Sequence, residues 1–408
     1  MNTNYIYLHK VDAAANNNKF YEMTNNGDGT FTVKYGREGA AKPATETYPI
    51  SKWDSKYYEK TSSKKGYTDI TDLKSVVKQT TSVSNSKKQL ISKNPEVVKL
   101  ITYLQEAANV VTKANYEVEA KQVTQAQVDK AQHQIDILSK IINIDEFNKE
   151  LVQLMIIIPR KMKRVADHCM PATSSKKDLQ KRIEEEQEML DAMASQVVSD
   201  STSDNATDTS VSKNDKTLLE SLGLEMELCS DKAEINRVKD LVLSHKSRVK
   251  NIYKVRNIDT EKRYEKHLAA AKNKQTQLLF HGSRNQNWFF ILQQGLKIRP
   301  STAVITGAMF GNGVYFASDD DKSLGYTDSG RWVNNGYGKN SVFMGVYEVH
   351  LGDQIIKHSH DSSCYNLHNH LNGKDSVWAK KGPSLRKDEY IVYNTNQSTI
   401  KYLIEFSN

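Results

Sequence analysis

FGNGVYFAS, residues 310–318, admits two readings, and the fold of the C-terminal half depends on which holds. A Gly-x-Gly can bare backbone N–H groups to a phosphate, but that cradle needs a helix to open directly behind the glycines. Here Val314, Tyr315 and Phe316 follow, a β-branched residue and two aromatics. The stretch therefore predicts a turn that feeds a strand and sets its aromatics into a pocket.

Working outward, residues 217–408 read as mixed and β-rich. Val342–Leu351, Glu389–Tyr393 and Thr399–Phe406 are expected strands, and Asn287–Gln294 an expected short helix. HGSR (281–284) follows the apolar LLF and sits at a strand end, where a glycine lets a flat ligand approach the backbone. On its own, HGSR reads more simply as a strand-to-loop turn with an exposed histidine.

Upstream, SDSTSDNATDTSVSKNDK (199–216) is nearly free of apolar residues and reads as a flexible linker or loop. Residues 92–198 carry helical patterning. Asn94-Pro95 makes an N-cap and N1 pair, and Val97, Val98, Ile101 and Leu104 form a stripe behind it. Thr124 and Gln127 form a capping box ahead of Val128, Ala131, Ile135, Leu138 and Ile142. A further helix runs through Phe147, Leu151, Leu154 and Met155 to Pro159, and a last one carries Leu179, Ile183, Leu190 and Met193. Residues 1–80 are β-rich, with NNGDG as a hairpin turn between Lys19–Met23 and Thr30–Tyr35, and TTSVSNSKK reads as the linker that follows.

Composition narrows the class. A chain of 408 residues implies two or three domains. The longest apolar run, Leu154–Ile158, is too short to span a bilayer, and MNTNYIYLHK lacks the pattern of a secretory signal, so an intracellular protein without membrane partners is expected. Cys169, Cys229 and Cys364 are odd in number and scattered, which is no disulfide framework. The net charge of +8 suits a polyanion, and residues 1–100, with sixteen Lys/Arg against ten Asp/Glu, hold most of the excess. HSHDSSCYNLHNH brings His358, His360, Cys364, His368 and His370 within thirteen residues. Such side chains can bind zinc, but surface-loop histidines are the plainer reading and no metal site is assigned.

Taken in order, LLFHGSR, GLKIRP, TGAMFGNGVYFAS, KSLGY, VYEV and DEYIVYN resemble the catalytic domain of the poly(ADP-ribose) polymerases, the ADP-ribosyltransferases with a His–Tyr–Glu signature. The resemblance covers nearly all of 217–408. It implies that His281 holds NAD ribose hydroxyls and that Gly282, followed by Ser283, binds the nicotinamide carboxamide through its backbone. It implies that Tyr315 lines the nicotinamide pocket, Ser323 donates to the carboxamide and Tyr326 stacks on the ring. Lys322 would lie near the reacting centre, and Lys297 replaces an arginine near the adenosine ribose. Glu389 would be the catalytic glutamate. NAD+ is then a substrate, and no metal is required. Cleavage of the nicotinamide–ribose bond passes through an oxocarbenium-like state, and a carboxylate on the ribose 2′-hydroxyl stabilises the growing charge.

The resemblance extends upstream. Helical regulatory domains precede the catalytic domain in DNA-dependent members, and KYGREG resembles a WGR domain in which Tyr35-Gly36-Arg37 stands for Trp-Gly-Arg. The expectation is a multidomain α+β protein: a WGR-like DNA-sensing domain (1–80, with Tyr35 and Arg37 on DNA), an all-α bundle (92–198), and an α+β transferase domain with antiparallel sheets (217–408). The implied activity is DNA-stimulated ADP-ribosyl transfer in a DNA-damage response, in the nucleus if the source is eukaryotic. DNA ends or breaks and protein acceptors, including the enzyme itself, are the implied partners. Glu389, with Met309 near the elongation site, implies polymer. A DNA-binding scaffold with a degenerate transferase fold, and an enzyme acting on nucleic-acid ends, are the competing readings.

Overall fold

The computed structural model describes residues 4–72, 90–204, 216–298, 309–328, 341–361 and 373–407, with the side chains of 198–204 left out. The chain divides into two compact units, residues 1–87 with 112–190 and residues 88–111 with 191–408.

The first unit opens with β1 (Tyr5–Asp12), β2 (Asn17–Asn25), β3 (Thr30–Arg37), β4 (Ala44–Pro49), α1 (Trp53–Thr61) and β5 (Thr68–Asp69). The strands pair antiparallel in the order β4-β3-β2-β1-β5. The predicted turn joins β2 to β3 through Gly27 and Gly29 at φ +79° and +87°, backbone that side chains rarely adopt. Alternation along β3 buries Phe31 and Val33, and Trp53 of α1 meets Phe31 edge-on at 5.1 Å.

The helical segment holds α2 (Pro95–Asn115), α3 (Gln125–Leu138), α4 (Ile144–Ile157) and α5 (Lys176–Asp204). The Thr124–Gln127 capping box closes in both directions, and Val128, Ala131, Ile135 and Leu138 are buried as predicted. Ile142 is not on that face. The helix stops at Leu138, and Ile142 lies beyond it, 55% exposed, while Ile141 takes the buried place. Pro159 ends α4 from a distance, because the residue before a proline avoids helical backbone and Ile158 is extended at φ −126°, ψ 105°. The expected linker at 199–216 also needs correction, since α5 continues to Asp204. Ser, Thr and Asp cost only tenths of a kcal/mol in a helix already nucleated. Residues 205–215, and the TTSVSNSKK stretch, lie outside the described residues.

The second unit contains α6 (Leu218–Ser221), β6 (Leu224–Leu228), α7 (Lys232–Leu241), β7 (Val249–Asn257), α8 (Ile258–Ala270), β8 (Thr276–Gly282), α9 (Asn285–Gln294), β9 (Val314–Phe316), α10 (Asp320–Leu324), β10 (Ser341–His350), β11 (Gln354–Lys357), β12 (Ser376–Ala379), β13 (Glu389–Val392) and β14 (Ser398–Ser407). One sheet runs β6-β7-β14-β10-β8 and the other β11-β12-β13-β9. The pairings are antiparallel, as expected, except for β11 with β12, which is parallel. Val97, Ile101 and Leu104, from the part of α2 in this unit, share a core with Trp288, Phe289 and Leu292 of α9. Asn285 anchors that layer, donating to Tyr103 Oη at 3.0 Å and to the Ser341 carbonyl at 2.8 Å.

In the first unit Glu186 is fully buried between two arginines. It pairs with Arg160, and with Arg182 at 2.7 Å. Arg160 also lies over the Tyr116 ring at 4.3 Å. Removing the carboxylate leaves two guanidinium groups facing a low-dielectric pocket. Glu186→Ala is expected to cost about 3–5 kcal/mol, measured by chemical denaturation. A loss within surface-mutation range would show that the cluster is not structural.

Candidate active site

FGNGVYFAS resolves as a turn and a strand. Gly311 takes φ +80°, and β9 begins at Val314. Gly313 is packed so closely that a Cβ would meet Ile391 and the Val392 carbonyl oxygen. The Tyr315 hydroxyl accepts from the Phe310 N–H at 3.0 Å and donates to the Gly311 carbonyl at 2.8 Å, so the tyrosine braces the turn that precedes it.

β9 lies beside β13, with Tyr315 opposite Ile391 and Phe316 opposite Tyr390. A bridge joins it to the other sheet: Phe280 N–H donates to Ala317 O at 2.8 Å, and Ala317 N–H to Phe280 O at 3.0 Å. This bridge carries His281 to the Tyr315 carbonyl, which its Nδ1 contacts at 3.0 Å. A carbonyl only accepts, so Nδ1 bears the proton, and Nε2 of the neutral ring offers a lone pair. The Phe316 and Tyr347 rings stand edge-on to the imidazole at 5.9 and 6.1 Å. Burial lowers the His281 pKa, which favours the neutral ring.

The remaining signature positions close a ring around this bridge. Glu389 opens β13, buried at 5% exposure, and its Oε1 pairs with Lys322 Nζ at 3.0 Å. Lys322 and Ser323 sit on α10. The Ser323 hydroxyl donates to Phe280 O at 3.2 Å, so donating to a ligand requires it to turn away from that carbonyl. A Cβ on Gly282 would fall inside the Ser323 carbonyl oxygen, so only glycine lets β8 lie against α10. His281, Tyr315, Lys322, Ser323 and Glu389, up to 108 residues apart in sequence, are linked through adjoining elements.

Other predicted residues lie around this ring. The Ser283 hydroxyl accepts from Asn287 Nδ2 at 3.1 Å, and its carbonyl from Trp288 Nε1 at 3.2 Å. Tyr326 follows α10 and is 47% exposed. Lys297 is exposed just beyond α9, at the edge of the described residues. In the first unit Tyr35 and Arg37 share one side of β3. The Tyr35 hydroxyl donates to Glu46 at 2.6 Å, and the Arg37 guanidinium donates to the carbonyls of Asn16, at 3.0 Å, and Lys163. His358 and His360 are exposed, while Cys364, His368 and His370 lie outside the described residues. Among the described residues no three His, Cys, Asp or Glu side chains gather as a metal cluster.

Sequence reading missed the supports of α10. Asp320 is fully buried and accepts from the backbone N–H of Leu243, Ser244 and His245 at 2.9–3.0 Å. Its Oδ2 also meets His245 Nδ1 at 2.8 Å. Lys387 pairs with Asp319 at 2.8 Å and Asp321 at 3.0 Å. The run of three aspartates was the available signal, but its partners lie more than sixty residues away.

Comparison with known proteins identifies two families along the chain. Residues 232–408 match the family model of the poly(ADP-ribose) polymerase catalytic domain, and residues 5–74 that of the WGR domain. A putative poly [ADP-ribose] polymerase-like protein, 100L, of Invertebrate iridescent virus 6 is 36% identical over 43% of this chain and 94% of its own length. The uncharacterized protein 101L of the same virus is 32% identical over 45% of this chain and 73% of its own length. Human poly [ADP-ribose] polymerase 2 is 34% identical over 31% of this chain and 26% of its own length.

The Gly282 contact gives a direct test. Gly282→Ala is expected to push β8 from α10, destabilise the second unit by about 1–3 kcal/mol and abolish NAD turnover. Full turnover in this variant would show that the close approach is dispensable.

Proposed function

This chain belongs to the poly(ADP-ribose) polymerase family and is an NAD-dependent ADP-ribosyltransferase with a WGR domain; from that premise we propose that it is stimulated by DNA ends or breaks and builds ADP-ribose polymer on protein acceptors, itself included. The observation that supports the transferase chemistry in this reading is the Lys322–Glu389 pair beside the His281–Tyr315 contact, and the WGR match supports the DNA part. In the proposed roles, Nε2 of neutral His281 accepts from a ribose hydroxyl of NAD. The backbone of Gly282, beside Ser283, and the Ser323 hydroxyl fix the nicotinamide carboxamide, Tyr315 and Tyr326 hold the ring, and Lys297 faces the adenosine end.

Glu389 sits on the ribose 2′-hydroxyl and stabilises the oxocarbenium-like charge as nicotinamide leaves. It then takes the proton of the acceptor hydroxyl as general base. Lys322 keeps the carboxylate aimed into the site. Stimulation is assigned to the WGR-containing unit, with Tyr35 and Arg37 as its DNA contacts, and the setting is a DNA-damage response. Arg37 already serves two carbonyls, so its share in phosphate binding rests on its remaining donors. No helix among the described residues is long and apolar enough to cross a membrane. A nuclear site of action is proposed for a eukaryotic source.

Labelled NAD with and without broken DNA tests the proposal. Label transfer that rises with DNA ends is expected, and transfer indifferent to DNA would remove the sensing role. Glu389→Gln is expected to abolish chain elongation with NAD binding largely kept, judged on a product gel beside a binding titration. Long chains from this variant would dismiss Glu389 from the role.

The histidine tautomer adds a pH test. Because burial holds the His281 pKa below its ordinary value, Nε2 stays an acceptor at neutral pH. The KM for NAD is expected to be flat above about pH 6.5 and to rise only in more acid solution, as Nε2 takes a proton. The same group contributes stability above its unfolded pKa that is lost as pH falls through the folded one. A KM already rising between pH 8 and 7 would contradict the neutral assignment.

A further inference from the structure

Tyr347 lies outside the His–Tyr–Glu signature but against its histidine. On β10, Gly345 stands opposite His281 in the strand register, and a bulge follows between Val346 and Tyr347. A Cβ on Gly345 would strike Tyr347 Cε2 and the Trp288 ring, so the Tyr347 ring is folded back over the glycine. There it reaches the imidazole, with ring centroids 6.1 Å apart and an interplanar angle of 80°. Phe316 closes the group, 5.9 Å from the imidazole and 5.6 Å from the Tyr347 ring. Nδ1 is already held on the Tyr315 carbonyl at 3.0 Å. The two aromatic rings block the remaining rotation of the imidazole and so set the aim of Nε2.

The far side of Tyr347 is polar. A small cavity lies between the start of α8, the end of α9 and the start of β14. Thr260, Arg263, Thr395, Ser398 and Thr399 line it, together with Tyr347 itself. It has room for about one water, and its wall offers the polar groups that hold one. Tyr347 is 2% exposed, and its hydroxyl meets no partner among the described residues, so a cavity water is the partner within its reach. Of the residues that line the cavity, Tyr347 is the one whose ring meets the imidazole.

From this we propose that Tyr347 is a positioning residue for the NAD reaction: its ring is the partition that holds His281 against the Tyr315 carbonyl and keeps cavity water from the imidazole. The proposal rests on the reading of His281 as acceptor of a ribose hydroxyl. A side chain without the ring opens the cavity towards the imidazole and lets it swing. Water then stabilises the imidazolium, and the pKa that burial lowers climbs towards its ordinary value of about 6.5. The other titratable groups of the site have their own partners or stay neutral. Lys322 of α10 and Glu389 of β13 pair with each other at 3.0 Å. The Tyr315 hydroxyl is engaged with Phe310 and Gly311, and burial raises the Tyr347 pKa.

The test uses the full chain with Tyr347→Leu and Tyr347→Phe. Two quantities are followed against pH: the kinetics with NAD, and the His281 imidazole titration by NMR, assigned by its loss in His281→Gln. Tyr347→Leu is expected to raise the KM for NAD about tenfold at neutral pH, with kcat within about threefold. Its imidazole midpoint should move up towards about 6.5, and the acid rise in KM should begin at correspondingly higher pH. Tyr347→Phe keeps the ring and is expected to hold both midpoint and acid limb at the wild-type position. A leucine variant that is less stable but unmoved in midpoint and KM reduces Tyr347 to packing and overturns the proposal. A phenylalanine variant as shifted as leucine would place the effect in the hydroxyl and overturn it as well. Absence of NAD turnover in the wild type would bring down the reading of His281, while the titration still judges the Tyr347 contact.

Discussion

The second unit depends on one pair of hydrogen bonds, those exchanged between Phe280 and Ala317. They join a five-stranded sheet to a four-stranded one at the point where His281 leaves β8 and Tyr315 lies in β9. Buried backbone groups must find partners, and here that requirement locates the site. Phe280 O also takes the Ser323 hydroxyl, which draws α10 to the same place. With the β9–β13 pairing and the Lys322–Glu389 contact, the connections form a closed ring. Moving one member strains the others, which is how a catalytic arrangement is held to tenths of an ångström.

The glycines of the site serve contact as much as conformation. Gly311 needs its positive φ, whereas Gly282 and Gly313 are there because a Cβ would strike the Ser323 carbonyl and Ile391. The carboxylates around them likewise have distinct tasks. Asp320 is consumed by three backbone donors and a histidine, Asp319 and Asp321 hold Lys387, and Asp388 closes its own loop. Glu389 is the one aimed at a lysine inside the ring. Around a site that handles a dinucleotide, these nearby aspartates are each held by hydrogen-bond or lysine partners of their own.

Local chemistry was legible wherever it is local in sequence. The NNGDG turn, the Thr124–Gln127 capping box, the end of α4 before Pro159 and the strand after FGNG each follow from neighbouring residues alone. Errors arose where two periodic signals abut or where composition misleads. Ile142 continues the stripe of α3 on paper, but the helix has already ended. The Ser- and Asp-rich stretch after residue 198 resembles a linker, yet a helix already under way extends through six of its residues for little free energy.

The sequence by itself determined the identity and order of the signature residues, the turn-and-strand nature of FGNGVYFAS and the excess of positive charge. Each depends on side-chain type and on spacings of a few residues. Only the tertiary structure decided that Nδ1 of His281 carries the proton, that Lys322 faces Glu389, and that the first turns of α2 complete the core behind α9. It also decided which aspartates are spent. Those outcomes rest on partners tens to hundreds of residues apart, brought together by sheet register and burial, and no local pattern in a single sequence encodes such distances.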